Sequence, residues 1–174
     1  MDNAENRKWT VDVIIPTYRP GREFGELIRR IEEQEYRPDR ILVMNTGEQY
    51  WNREWECCPI LEVHHLDQKD FDHGGTRRRA AQLSNADIMI FMTQDALPAD
   101  RKLVGNLVHA VSSDPQTGAA YARQLPKADC RFLERYTRSF NYPDQSSVKS
   151  LKDVDKYGIK TYFCSNVCAA YDRE

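Results

Sequence analysis

The stretch Ile88-Met89-Ile90-Phe91-Met92-Thr93-Gln94-Asp95-Ala96-Leu97-Pro98 constrains this chain more than any other. An unbroken apolar run of strand length ends in a polar Thr-Gln-Asp triplet, and Pro98, which has no N–H to give a sheet, stops it. A run that is apolar on both faces suits a central parallel strand covered by helices on each side. Ligands of such sheets bind at the carboxyl ends of the strands, where Asp95 falls. A lone carboxylate there suits a hard metal ion carrying a phosphorylated ligand. Alternatively, Asp95 is the N-cap of the helix that follows.

Similar runs recur along the chain. Residues 1–10 are polar and expected to fray. Val11–Ile15 reads as the first strand, ended by the loop Pro16-Thr17-Tyr18-Arg19-Pro20-Gly21. Phe24, Leu27, Ile28 and Ile31 then recur with helical spacing in a segment reaching Glu35. Arg40–Met44 and Pro59–Leu66 read as the second and third strands, the former leaving through Asn45-Thr46-Gly47. His64 and His65 point to opposite faces of that third strand and read as ordinary strand residues. Phe71-Asp72-His73-Gly74-Gly75-Thr76-Arg77 leads into a helix ending near Ser84, and a further helix is expected over about 100–112.

Gly118–Ala122 reads as a fifth strand, residues 129–157 as a helix or two over irregular chain, and Lys160–Cys164 as a sixth strand. Ala169–Glu174 reads as the start of a helix with no C-cap glycine or breaker, which points to a fold continuing past Glu174. Strand and helix alternate over short connections. The expected class is therefore α/β, a mostly parallel sheet flanked by helices, forming one incomplete domain over 11–174.

Composition excludes several functions. The net charge of −2 gives no general attraction to nucleic acid or anionic lipid, so an anion site must be local. Five cysteines, an odd number, and the lack of a signal-peptide pattern point to a reduced, cytoplasmic protein. Cys164 and Cys168 have a ligand-like spacing but no accompanying Cys/His pair, which argues against zinc. No apolar stretch is long enough to span a bilayer, so a membrane-borne substrate would be met at the surface.

The loops Pro16–Gly21, Asn45–Gly47, Phe71–Arg77 and Thr93–Asp95 all follow predicted strands and should share one sheet edge. Together their residues suit a nucleotide diphosphate. Tyr18 offers a ring to a base, Asn45 an amide to a base or ribose, and Gly74 and Gly75 a close backbone approach to phosphate. Arg77 can fork onto phosphate oxygens, and Asp95 supplies the metal contact. Each has another reading: Tyr18 as packing, Arg77–Arg79 as a solvated helix face, and His73 as a turn residue rather than a phosphate or metal contact. The dinucleotide fingerprint G-x-G-x-x-G is absent after the first strand. The Gly74-Gly75-Thr76-Arg77 loop is similar to that of nucleotidyltransferases, but theirs follows the first strand, not the third. Nucleic-acid binding through Arg77–Arg79 is disfavoured by the lack of a basic stripe.

Val13-Ile14-Ile15-Pro16-Thr17-Tyr18 resembles the opening of family-two glycosyltransferases of the GT-A fold. Met44-Asn45-Thr46-Gly47 falls where they have an Asp-Asn-Gly-type turn, Thr76-Arg77-Arg78 where Ala-Arg-Asn is common, and Thr93–Pro98 where their Asp-x-Asp motif lies. Phe71–Arg77, Thr93–Ala96, Phe140–Pro143 and Ser165–Val167 resemble the rhamnosyltransferase branch. The resemblance runs over nearly the whole chain from about Val11. It implies inverting transfer of a sugar from a nucleotide diphosphate, with dTDP-rhamnose as expected donor and UDP-sugars as the alternative. The acceptor would be a glycan or lipid-linked, met by peripheral membrane contact during surface-polysaccharide synthesis. A non-catalytic nucleotide-sugar-binding module is the remaining alternative.

In this picture Pro16, Thr17, Tyr18 and Asn45 hold the nucleoside, with Gly74, Gly75 and Arg77 at the diphosphate. Asp95, with His73 as a further candidate, holds Mg²⁺ or Mn²⁺, and Gln94, Ser165 and Asn166 lie near the transferred sugar or acceptor. Asn45 replaces a common aspartate, and Thr93 replaces the first acid of Asp-x-Asp, so weak metal dependence is expected. The family's general base belongs to an acidic motif past the Ser-Asn stretch; Asp172 and Glu174 do not match it. The expectation is a chain that binds donor and turns it over poorly, and that self-associates if a covering segment is missing.

Overall fold

The computed structural model describes residues 9–126 and 129–173. A six-stranded sheet has the spatial order β3-β2-β1-β4-β6-β5, formed by β1 (Val11–Tyr18), β2 (Arg40–Thr46), β3 (Leu61–Leu66), β4 (Ile88–Met92), β5 (Ala119–Tyr121) and β6 (Cys168–Asp172). Strands β1 to β4 are mutually parallel, while β6 runs antiparallel to both β4 and β5. Helices α1 (Glu23–Glu32) and α3 (Leu103–Ser112) cover one face, and α2 (His73–Leu83) lies on the other.

The apolar runs form strands because both of their faces are covered. Val13, Ile15, Ile41, Val43, Ile88 and Ile90 meet Phe24, Leu27, Ile31, Val104, Leu107 and Val108 in the larger core. Ile14, Leu42 and Met44 point the opposite way and meet Ala80 of α2 and Leu66. Helix α1 has Glu23 and Glu26 in its first turn and Arg29 and Arg30 in its last, matching its dipole at both ends.

Several expected boundaries move. The first strand does not stop at Pro16 but continues to Tyr18, with Pro16 in register with Met44. Pairing with β4 ends at Ile14, so the missing N–H of Pro16 interrupts no ladder on that side. Lys160–Cys164 is not a strand: Gly158–Tyr162 is a 3₁₀ turn. The sixth strand is Cys168–Asp172, where a helix start was expected. Alanines at 169 and 170 favour a helix locally, but a slot between β4 and β5 overrides that preference. Ala170 and Cys168 are buried in the larger core, and burial pushes the Cys168 thiol up to about 12.

The frayed terminus expected over 1–10 falls on residues 1–8, outside the described residues, and on Trp9 and Thr10, which are tied down. Tyr36 Oη donates to Trp9 O at 2.6 Å, and Thr10 donates to Asp87 from its N–H (2.9 Å) and its hydroxyl (2.8 Å). All five cysteines are free. Among the described residues no helix is long and apolar enough to cross a membrane.

Candidate functional site

Parallel pairing puts the carboxyl ends of β1, β2, β3 and β4 on one edge, and side chains stitch that edge together. Thr17, Asn45 and His65 are register partners across three strands. Thr17 Oγ1 donates to Asn45 Oδ1 at 3.0 Å, and Asn45 Nδ2 reaches Gly47 O at 3.2 Å and His65 Nδ1 at 3.0 Å. Asn45 is fully buried, so its amide is spent inside the protein and positions the strand ends. A direct base or ribose contact is expected of Asn45 from the sequence; here both amide hydrogens and one lone pair of Oδ1 are engaged within the fold.

Gln94 is similarly engaged. Its Oε1 accepts from Tyr18 N at 2.8 Å, and its Nε2 donates to Tyr18 O at 3.1 Å. This reciprocal pair continues the sheet where β1 and β4 have diverged, and it fixes Tyr18 against the Thr93–Asp95 turn. Asp95 is exposed and caps no helix: Ala96 N closes a turn onto Thr93 O at 3.1 Å, and α3 starts only at Leu103. Pro16 and Thr17 sit within β1 itself, Thr17 almost wholly buried.

Tyr18 stands half-open beside Tyr50, with ring centroids 6.1 Å apart and nearly perpendicular. The Arg19 guanidinium lies over both rings, 5.0 and 4.6 Å from their centroids, and donates to Tyr50 Oη at 2.9 Å. Arg19 has a φ of 48°, left-handed backbone that a side chain other than glycine's adopts at a cost. Gly47 enables the arrangement: its φ is 83°, and a Cβ there would meet the Tyr50 ring at 2.9 Å. Arg19 and Tyr50 are members of this edge that the sequence reading did not single out, and His65, read there as an ordinary strand residue, is a third. The non-glycine turn residue Arg19 carried no pattern, and the alignment of His65 with Asn45 depends on strand register.

At the start of α2, Asp72 is the N-cap and its carboxylate accepts from Gly75 N. A Cβ on Gly75 would sit 3.0 Å from that carboxylate, so the cap itself accounts for this glycine; Gly74 and His73 are exposed. Arg77 Nη1 donates to His73 O at 3.3 Å, while its Nε is buried without a partner. Tyr171 of β6 is pushed up by burial and by the Cys164 thiol, with the Arg77 charge acting in the opposite direction.

Thr93 N donates to Val167 O at 3.0 Å, bringing Ser165 and Asn166 to the same edge. Ser165 is buried, 2.8 Å from Tyr142 Oη and 3.2 Å from Gln124 Nε2, while Asn166 is exposed with Oδ1 accepting from Tyr171 Oη at 3.4 Å. Among the described residues, the buried side-chain polar atoms without a partner are Thr46 Oγ1, Thr76 Oγ1, Arg77 Nε and Thr93 Oγ1. All four lie at the ends of β2 and β4 or in the first two turns of α2. Such groups are costly to bury unpaired and call for an explanation.

For a divalent metal, the described residues contain no cluster of three His, Cys, Asp or Glu groups. An exposed Asp95 fits an ion that takes most of its oxygens from a bound diphosphate and water, as Mg²⁺ commonly does.

Comparison with known proteins bears on the family and the fold. The glycosyl transferase family 2 model matches residues 12–174. The chain is 41% identical over 170 residues to the O-antigen chain rhamnosyltransferase RfbN of Salmonella typhimurium, covering 94% of this chain and 52% of that protein. It is 30% identical over 163 residues to the O-antigen chain rhamnosyltransferase WbaN of Salmonella anatum, covering 92% and 51%. The chain thus spans about half the length of the curated relatives it matches. In fold it is similar to the mannosyltransferase PcManGT from Pyrobaculum calidifontis, solved with GDP-Man and Mn²⁺. There the TM-score is 0.66 at 20% identity, over 95% of this chain and 45% of that one. Mannosyl-3-phosphoglycerate synthase from Rubrobacter xylanophilus gives a TM-score of 0.61 at 14% identity, over 95% and 53%. These neighbours share the GT-A architecture, and with the family match over residues 12–174 the chain belongs to glycosyl transferase family 2.

Proposed function

We propose that this chain is the donor-binding part of an inverting rhamnosyltransferase that takes rhamnose from dTDP-rhamnose and builds a surface polysaccharide at the cytoplasmic membrane face. The observation that carries the reading is the contrast within one sheet edge: an exposed carboxylate at Asp95 beside four buried polar atoms with no partner in the fold. The rhamnosyltransferase names of the two Salmonella relatives supply the donor sugar.

In this reading the Tyr18–Arg19–Tyr50 cluster receives the base, its rings supplying stacking area and Arg19 a planar cation. Pro16, Thr17 and Asn45 hold that ledge in place from below. Arg77 turns its guanidinium to the diphosphate, where Nε gains its missing acceptor, and the Thr76 and Thr93 hydroxyls donate to phosphate or sugar oxygens. Gly74 leaves the start of α2 open to the diphosphate. Gln94 fixes the height of Asp95 relative to Tyr18, and Ser165, braced by Tyr142 and Gln124, presents Asn166 to the transferred sugar or acceptor. Asp95 would hold Mg²⁺ or Mn²⁺ with His73 as an additional donor, and the ion would supply positive charge to the departing diphosphate. The carboxylate that takes the acceptor's proton is assigned to no residue of this chain, so donor binding is its expected property and turnover is expected to be slow.

Thermal unfolding with dTDP, UDP or GDP, each with and without Mn²⁺, tests the reading. Nucleotide at about 100 times its dissociation constant adds roughly 2.7 kcal/mol, worth several degrees in a domain of this size. A rise with dTDP that exceeds that with UDP and GDP and grows with Mn²⁺ is expected. A larger rise with UDP would move the donor to a UDP-hexose. A flat response to all three would overturn the proposal.

A further inference from the structure

The connection between β5 and β6 carries a helix turned inside out. Helix α4 (Phe132–Asn141) is strongly two-faced, yet none of its residues is buried. Its polar side faces the protein: Arg138 Nη1 donates to Gln124 Oε1 at 2.7 Å, and Arg138 pairs with Glu134 at 2.9 Å. The apolar side faces outward, with Phe132 82%, Leu133 73%, Tyr136 58% and Phe140 57% exposed. Ordinary surface helices do the reverse.

The apolar face continues past the helix. Lys160 Nζ lies 3.3 Å from the centroid of Phe140, which brings the Gly158–Tyr162 turn against α4 and adds Ile159, 87% exposed, and Tyr162, 65% exposed. Charge distinguishes this region from the rest of the molecule. Residues 122–167 hold nine Lys and Arg against five Asp and Glu, in a chain with 25 against 27. The connection is thus net positive while the remainder is net negative. Arg131 and Arg135 come from α4 itself, Lys152 and Lys156 from the turns that follow, and Lys160 sits over the Phe140 ring.

We propose that this face is a docking surface for an anionic phospholipid membrane. Aromatic and aliphatic side chains exposed on one side of a helix, with Arg131 and Arg135 on the same helix and Lys160 over the Phe140 ring, match the chemistry of a bilayer interface. There rings settle at headgroup level and long basic side chains reach the phosphates. A protein partner is the weaker match, since lysine is depleted at the centres of protein interfaces, whereas Lys160 here covers an apolar ring. The docked face leads through residues 163–167 to Asn166 and to Val167, which is bonded to Thr93, so the membrane would lie on the Asn166 side of the carboxyl edge. The inference stands on the surface alone and does not depend on which nucleotide the site takes.

The test is flotation of this chain with vesicles of phosphatidylglycerol and phosphatidylethanolamine against vesicles of phosphatidylcholine alone. The wild-type chain should bind the anionic vesicles at least about tenfold more tightly. A neutral triple variant, Phe132→Ser with Tyr136→Ser and Phe140→Ser, should lose that binding while keeping its circular dichroism and its nucleotide-dependent unfolding shift. A second variant, Lys152→Ala with Lys156→Ala, keeps the apolar face and should weaken the preference for anionic lipid. Absence of binding to anionic vesicles, or binding unchanged in the serine variant, would overturn the proposal. So would a concentration-dependent dimer, abolished by the same serine substitutions, in a chain that ignores vesicles.

Discussion

The two edges of one sheet treat polar side chains in opposite ways. At the amino edge, buried Asp12 accepts from Arg40 Nη2 at 2.6 Å and from Ser84 Oγ at 2.7 Å. Arg40 also reaches Glu62 at 2.8 Å and Leu83 O at 3.0 Å, and Glu62 in turn pairs with His64 at 2.6 Å. At the carboxyl edge, Thr46, Thr76, Arg77 and Thr93 each leave a buried polar atom unpartnered, and Asp95 is exposed. Both ends bury polar side chains, Asp12 and Ser84 at the first and Thr46 and Thr76 at the second. The difference is that the amino edge is saturated by its own side chains and the carboxyl edge keeps hydrogen-bonding capacity for something else. In the proposed reading, polar residues at the first edge serve stability and those at the second serve a ligand.

That contrast is sharpened most by Asp12→Ala. It leaves Arg40 and Ser84 without their shared acceptor and is expected to cost about 3 kcal/mol by urea denaturation, since one partner of a largely buried ion pair is removed. The nucleotide-dependent shift of the folded variant should be unchanged, and its loss would mean the two edges are not separable. Asn45→Ala is next, at about 2 kcal/mol for a buried amide with three partners. Unlike the first variant it should also diminish the nucleotide response, because Thr17 and His65 lose their common anchor. Gln94→Ala breaks the pair of bonds to the Tyr18 backbone at an exposed position, so about 1 kcal/mol of stability is expected to go. Nucleotide affinity should fall by more than that loss of stability alone suggests if Gln94 sets the spacing between Tyr18 and Asp95.

The smallest effect is that of acid on the paired carboxylates outside the site. Glu62 is held below its ordinary 4.5 by His64 and then Arg40, and Glu26 is held at about 2 by Arg29 and Arg30. A carboxylate lowered on folding contributes stability that is complete above its unfolded value and is lost as pH falls through the folded one. Stability should therefore decline as pH drops from about 4.5 towards 2, and only modestly, because these pairs are largely exposed and screened. Urea midpoints that do not move over this range would show that the pairs contribute nothing.

The sequence made some of this visible and hid the rest for identifiable reasons. Val11–Ile15, Arg40–Met44 and Ile88–Met92 were legible because strands covered on both faces need unbroken apolar runs. Tyr18 and Asp95 were legible as polar punctuation at strand ends. Strand β6 was not, since Ala169 and Ala170 favour a helix and become strand only through partners some 80 and 50 positions upstream. Asn45 and Gln94 were read as ligand contacts: side-chain type says an amide can bind a ligand, and only register shows that Thr17, His65 and the Tyr18 backbone already engage these amides. Helix α4 lay in a stretch read only as a helix or two over irregular chain, so neither its apolar face nor the outward direction of that face was legible.

The most direct measurement of the central claim is the paramagnetic resonance signal of free Mn²⁺ in the presence of this chain and dTDP. If the carboxyl edge holds a nucleotide diphosphate through a metal on Asp95, the free-ion signal should fall further with protein and dTDP together than with either alone. Asp95→Ala should return it to the dTDP-only level while leaving the urea midpoint of the unliganded chain essentially unchanged. A signal no lower with protein and dTDP than with dTDP alone, or one that falls equally in Asp95→Ala, would contradict the account.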